Sequence, residues 1–138
     1  MISLDTNAWV RILTLDDPEQ ARAVTRRLAG ERVFLPKTVL LELEWVLRYS
    51  YRLSRVSVAE SFQKLLCLKG LEVEDRPSVL QACAWHAQGM DFADALHLAS
   101  CPSPGTDCLL TFDRKFARLS AEAETRPKVE LLELPPTE

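Results

Sequence analysis

No apolar run in the chain reaches the roughly 20 residues of a membrane span, and the N-terminus lacks the basic segment and cleavage site of a secretory leader. Both absences predict a cytoplasmic protein. Cysteine is sparse and never arranged as C-x-x-C. Cys67, Cys83, Cys101 and Cys108 stand apart, which argues against a zinc site or a disulfide framework and for buried free thiols. Histidine is sparser still, and the spacing of His86 and His97 does not make a metal-ligand pair. An excess of positive charge is also missing. The net charge of −3 does not advertise a nucleic-acid-binding face, although bound metal ions would offset clustered carboxylates locally. No Ser-His-Asp or Cys-His arrangement, phosphate-binding glycine loop or G-x-G-x-x-G is present to carry chemistry. Repeats, low-complexity tracts and convincing linkers are absent too.

What remains is an ordinary soluble composition, 47% hydrophobic and 27% charged over 138 residues, long enough for one domain with a proper core. The expected domain covers residues 1–134, with 135–138 as a frayed tail. Its first stretch, Met1 to Asn7, is a short apolar run that stops at Asp5, followed by Thr6 and Asn7. That pattern predicts a buried strand delivering Asp5 to its C-terminal end, where a helix begins.

The same handover recurs along the chain. A helix is predicted over 8–15, and a second starts at Asp16-Asp17-Pro18 and ends at Gly30. A strand over 32–35 is stopped by Pro36, and a long helix runs from Thr38 to about Arg52. On that helix Val39, Leu40, Leu43, Val46 and Leu47 make an apolar stripe. Glu44 falls on its polar side, four residues before Arg48, as in a surface ion pair. Glu42 falls at the stripe's edge, half buried, and is the functional candidate of the two. A helix over 57–68 ends at Gly70, a weak strand covers 71–73, and a helix covers 77–87. Asp91 then caps a helix with Asp94 at its third position. A loop over 102–106, a strand over 107–111, a helix from Arg114 capped by Asp113, and a strand over 129–134 complete the chain. Taken alone, Asp5, Asp91, Asp94 and Asp113 also read as helix-capping acids, and Glu42 as an acid that merely reaches solvent.

Alternating strands and helices predict an α/β fold with a mainly parallel sheet, whose strands all end at one edge where ligands bind. Asp5, Glu42, Asp94 and Asp113 each follow a strand or open a helix, which sends them to that edge. Carboxylates so crowded would repel and raise each other's pKa. Helix N-termini relieve this by only about 0.3–1 kcal/mol each. Hard cations relieve it better, and oxygen-only donors favour Mg2+ or Mn2+. Such a site suits hydrolysis of a phosphodiester.

Four motifs in order, Leu4-Asp5-Thr6-Asn7, Val39 to Leu43, Asp91 to Leu96 and Leu110 to Asp113, give a chain that resembles the PIN-domain ribonucleases, most closely the VapC-type toxins of toxin–antitoxin pairs. The resemblance runs from residue 1 to about 132. It implies a five-stranded parallel sheet in an α/β/α sandwich and Mg2+- or Mn2+-dependent cleavage of single-stranded or looped RNA. It makes Asp5, Glu42, Asp94 and Asp113 the acidic quartet, with Asp5 and Asp94 as the main direct metal ligands. Asp91 is a secondary metal candidate. Thr6, Asn7 and Thr111 match positions that support the acids. A homodimer and a partner antitoxin are implied as well. Around the acids, Arg11, Arg48, Arg52, Arg55, Arg114, Lys115 and Arg118 are available to phosphate, with Arg114 and Lys115 best placed.

Rival readings are a DNA nuclease or phosphatase on a similar sheet, or an interaction domain whose acids are caps. A phosphatase of the haloacid-dehalogenase kind would need an acid where Asn7 stands, and a receiver domain an early acidic pair that Leu4-Asp5 does not supply.

Overall fold

The computed structural model describes residues 1–137; Glu138, the end of the expected tail, lies outside the described residues. The chain forms two compact units, Met1–Arg76 and Pro77–Glu138.

The first unit is built on a parallel three-stranded sheet, ordered β1 (Ile2–Ser3), β2 (Val33–Leu35), β3 (Leu71–Val73). Ile2 pairs with Val33, and Val33 with Leu71, so the C-terminal ends of all three strands share one edge. Between the strands run α1 (Thr6–Thr14), α2 (Pro18–Leu28), α3 (Lys37–Tyr49) and α4 (Arg55–Leu66). Local chemistry starts most of these helices. Asp5, Asp17 and Ser54 each accept a hydrogen bond from a first-turn N–H of α1, α2 and α4, and Pro18 opens α2. Trp9, Leu35, Leu40, Leu43, Leu47, Val58, Phe62 and Leu65 form the core. Gly70, at φ +83, lets the chain turn into β3 while its carbonyl accepts from Val33 N at 2.9 Å.

Helix α3 is the exception to local capping. Its N-cap is Pro36, which offers no side-chain oxygen. Glu74, just past β3, supplies the acceptor instead, taking the Lys37 backbone N–H at 2.8 Å. Lys37 Nζ then pairs with Asp75 at 3.1 Å. The helix ends at Tyr49, short of the expected Arg52, which sits in the left-handed region at φ 54 and cannot continue it.

The second unit holds α5 (Arg76–Ala87, beginning at the last residue of the first unit), α6 (Phe92–Ala99), β4 (Cys108–Thr111), α7 (Arg114–Glu122) and β5 (Lys128–Leu131). Strands β4 and β5 pair in parallel, Cys108 with Lys128. Val79, Ala82, Trp85, Met90, Phe92, Leu96, Leu98 and Phe116 are its buried core. His86 is buried edge-on to Phe92, with ring centroids 5.6 Å apart.

The five expected strands and their parallel pairing are present, but they pair as a three-stranded and a two-stranded sheet rather than as one sheet of five. With two residues, β1 makes its ladder with β2, while β4 makes its ladder with β5. All four cysteines are free as expected, yet none is fully buried, and Cys67 is exposed. Among the described residues no helix is long and apolar enough to cross a membrane.

Candidate active site

In the first unit, Asp5 follows β1 and caps α1, its Oδ1 accepting the Ala8 N–H at 3.0 Å. The cap occupies one oxygen and leaves an exposed carboxylate at the sheet's C-terminal edge. The next residue, Thr6, is buried, and its hydroxyl donates a hydrogen bond to Glu42 Oε1 on α3. Thr6 therefore couples the Glu42 carboxylate to the start of α1, beside Asp5. Asn7, in the first turn of α1, is exposed.

The two glutamates of α3 are reversed from expectation. Glu44 is buried, 2% exposed, and pairs with Arg48 at 3.0 Å. Glu42 is exposed. The buried positions of α3 are Leu40, Leu43, Glu44 and Leu47, a stripe of its own at helical spacing. Counting the half-buried Val39 and Val46 as core tilted the expected stripe away from Glu44. Glu42 is therefore not a half-buried acid seeking a partner; it is an exposed carboxylate that accepts a hydrogen bond from Thr6.

In the second unit, Asp91 caps α6 by accepting the Asp94 N–H at 3.2 Å. Asp94, in the first turn, is half buried. Burial pushes its carboxyl above the ordinary carboxylate range, and the negative charges of Asp91 and Asp113 push it further; His97 works against them. Asp113 follows β4 and caps α7, accepting the Phe116 N–H at 3.1 Å, while its own N–H donates to Thr111 Oγ1 at 3.0 Å. Thr111 thus fixes the backbone that carries Asp113. Arg114 and Lys115 are exposed at the start of α7.

Two features escaped the sequence reading. His97 stands three residues beyond Asp94 on α6, at the i, i+3 spacing that brings side chains together, and partly offsets the rise in the Asp94 pKa. Glu74 anchors the start of α3, and nothing local to either residue announces that contact.

The donor chemistry fits a hard divalent cation: carboxylates and hydroxyls with no thiolate, and one half-buried acid, Asp94, whose pKa burial and then its acidic neighbours raise. Among the described residues no three His, Cys, Asp or Glu side chains stand in a ready-made ligating group.

The family model for the PIN domain matches residues 2–122, an interval containing Asp5, Glu42, Asp91, Asp94 and Asp113. A curated VapC ribonuclease from Aquifex aeolicus (strain VF5) is 26% identical over 91 residues, covering 65% of this chain and 67% of that protein. No solved structure matches. On the extent of the family match, residues 2–122, the chain belongs to the PIN domain family.

Proposed function

We propose that the protein is a Mg2+- or Mn2+-dependent endoribonuclease that hydrolyses phosphodiester bonds in single-stranded or looped RNA, and that it is the cytoplasmic toxin of a toxin–antitoxin pair. The observation that carries this reading is the set of acids at helix starts, with Asp91 accepting the Asp94 N–H at the start of α6 and Asp113 capping α7; Asp94 is half buried there, and its burial first, then Asp91 and Asp113, raise its proton affinity. Family membership and similarity to a VapC ribonuclease support it.

Residues 1–134 act as one nuclease domain in this reading. Asp5 and Asp94 are the main direct metal ligands. Glu42 and Asp113 complete the set directly or through water, and Asp91 is auxiliary. A bound cation supplies Lewis acidity toward the scissile phosphate and makes water a better nucleophile at neutral pH. Thr6 orients Glu42 by hydrogen bonding to it, and Thr111 does the same for the Asp113 backbone. Asn7 supports Asp5. Arg114 and Lys115 meet RNA phosphates. A homodimer and a protein antitoxin are the expected assemblies.

Incubating the purified protein with RNA, single-stranded DNA and a small phosphate ester, with Mg2+, Mn2+ or EDTA, tests the reading. RNA cleavage that needs the metal and disappears in Asp5→Asn is the expected result. Metal-dependent cleavage of DNA or the ester instead would give the rival enzymes, and growth inhibition as strong from Asp5→Asn as from the parent would refute the toxin role.

A further inference from the structure

Helix α3 turns two large aromatic rings outward. Trp45 is 55% exposed and Tyr49 is 56% exposed. They do not hang loose. Their ring centroids lie 5.1 Å apart with planes tilted by 39°, and the Arg48 guanidinium sits 4.7 Å from the Tyr49 ring centroid. Arg48 is itself held by the buried Glu44 at 3.0 Å. A chain of contacts thus runs from the core through Arg48 and Tyr49 to Trp45.

Their position matters as much as their order. At 3.6 residues per turn, Glu42, Trp45 and Tyr49 fall within about 60° of one another around the helix. Trp45 and Tyr49 lie about 4.5 and about 10.5 Å along the axis from Glu42. One outward line of α3 therefore runs from an acid to two aromatic rings.

We infer that Trp45 and Tyr49 form a stacking platform for an unpaired base of the RNA substrate, next to Glu42; the inference rests on the ribonuclease reading for its ligand. Aromatic faces bind unstacked bases of any sequence, and a π-face beside a cation is a common feature of single-strand binding. Arg52, three residues past Tyr49 and exposed, is a cation available to an adjoining phosphate. A seam between protein copies fits this line less well, because closing over it would desolvate the exposed Glu42 carboxylate. The platform also explains how an acidic protein holds RNA: stacking supplies affinity that net charge does not.

The test uses Asp5→Asn protein, which leaves α3 untouched, binding a fluorescent single-stranded RNA in Mg2+, beside cleavage by the otherwise intact enzyme. Placing Trp45→Ala in each should weaken RNA binding and raise KM about tenfold with kcat little changed. Trp45→Phe should restore most of both, and circular dichroism should match the parent. RNA binding indifferent to Trp45→Ala, or absent from Asp5→Asn protein altogether, overturns the platform. So does a drop in molar mass by light scattering in Trp45→Ala, which assigns the rings to a contact between copies. Tryptophan-dependent RNA binding without any metal-dependent cleavage keeps the platform and removes the nuclease reading. Intact cleavage with tryptophan-independent binding does the reverse.

Discussion

Two glutamates two residues apart on α3 have opposite tasks. Glu44 is sealed in the core and neutralised by Arg48, while Glu42 stands in solvent and is gripped by the Thr6 hydroxyl. Removing Arg48 breaks the ion pair of a buried carboxylate, which costs more than removing a surface charge. Arg48→Met should destabilise the protein by about 2–4 kcal/mol in urea melts. Glu42→Gln keeps an acceptor for Thr6, so its stability should stay within about 0.5 kcal/mol of the parent while RNA cleavage collapses. The opposite outcome, a fragile Glu42→Gln and a robust Arg48→Met, would reverse the two roles. Asp94 makes a third contrast. The folded protein raises its pKa, so the folded state binds that proton more tightly than the unfolded state does. Stability from this group is present at low pH and lost as pH rises through the folded value, so at neutral pH the charge is a burden. Asp94→Asn should raise Tm at pH 7 by roughly 1–4 °C and abolish cleavage. A lower Tm would show the charge to be compensated within the fold.

At the scale of elements, a polar knot ties the turn between α1 and α2 to the segment after α3. Asp16 accepts the Tyr51 hydroxyl at 2.6 Å and the Thr14 hydroxyl at 2.8 Å, and Arg11 bridges it at 3.0 Å while also donating to Gln20 at 2.7 Å. The Tyr51 hydrogen bond, then Thr14 and Arg11, hold the Asp16 carboxyl down to about 2, from an ordinary value of 3.8. Its stabilising effect is therefore complete above pH 4 and lost as pH falls toward 2. Tyr51→Phe should flatten the fall of Tm across that window relative to the parent, and identical slopes would remove Tyr51 from the knot. Glu74 works at the same scale. Glu74→Ala should cost about 1 kcal/mol, as the loss of a helix cap does.

These elements also show what a sequence discloses and what it hides. The starts of α1, α2, α6 and α7 were legible because their caps, Asp5, Asp17, Asp91 and Asp113, lie beside the helices they open. The start of α3 was legible from Pro36, but its capping partner was not, because that acceptor arrives from Glu74, 37 residues further along the chain. The burial of Glu44 was hidden for a related reason. Composition alone places a glutamate outside, and only the packing of Leu40, Leu43 and Leu47 reveals which side of α3 faces the core. The Asp16 knot draws on Tyr51, 35 positions away, so no local spacing signals it. The acids proposed for the site were singled out because each stands after a strand or early in a helix.

At the scale of the whole molecule, each unit contributes proposed acids in its own way. The first holds Glu42 to the start of α1 through Thr6; the second half buries Asp94, and that burial, then the charges of Asp91 and Asp113, raise its pKa. Membership of the PIN domain family covers both units, since the match spans residues 2–122. Calorimetric titration of Mn2+ into the parent, Asp5→Asn and Asp94→Asn, each checked for an unchanged circular dichroism spectrum, asks whether these acids serve metal. Saturable binding by the parent, with heat lost in both variants, is the expected result. No saturable heat in the parent, or undiminished binding in both variants, would leave the acids as helix caps and the metal-dependent nuclease without its metal.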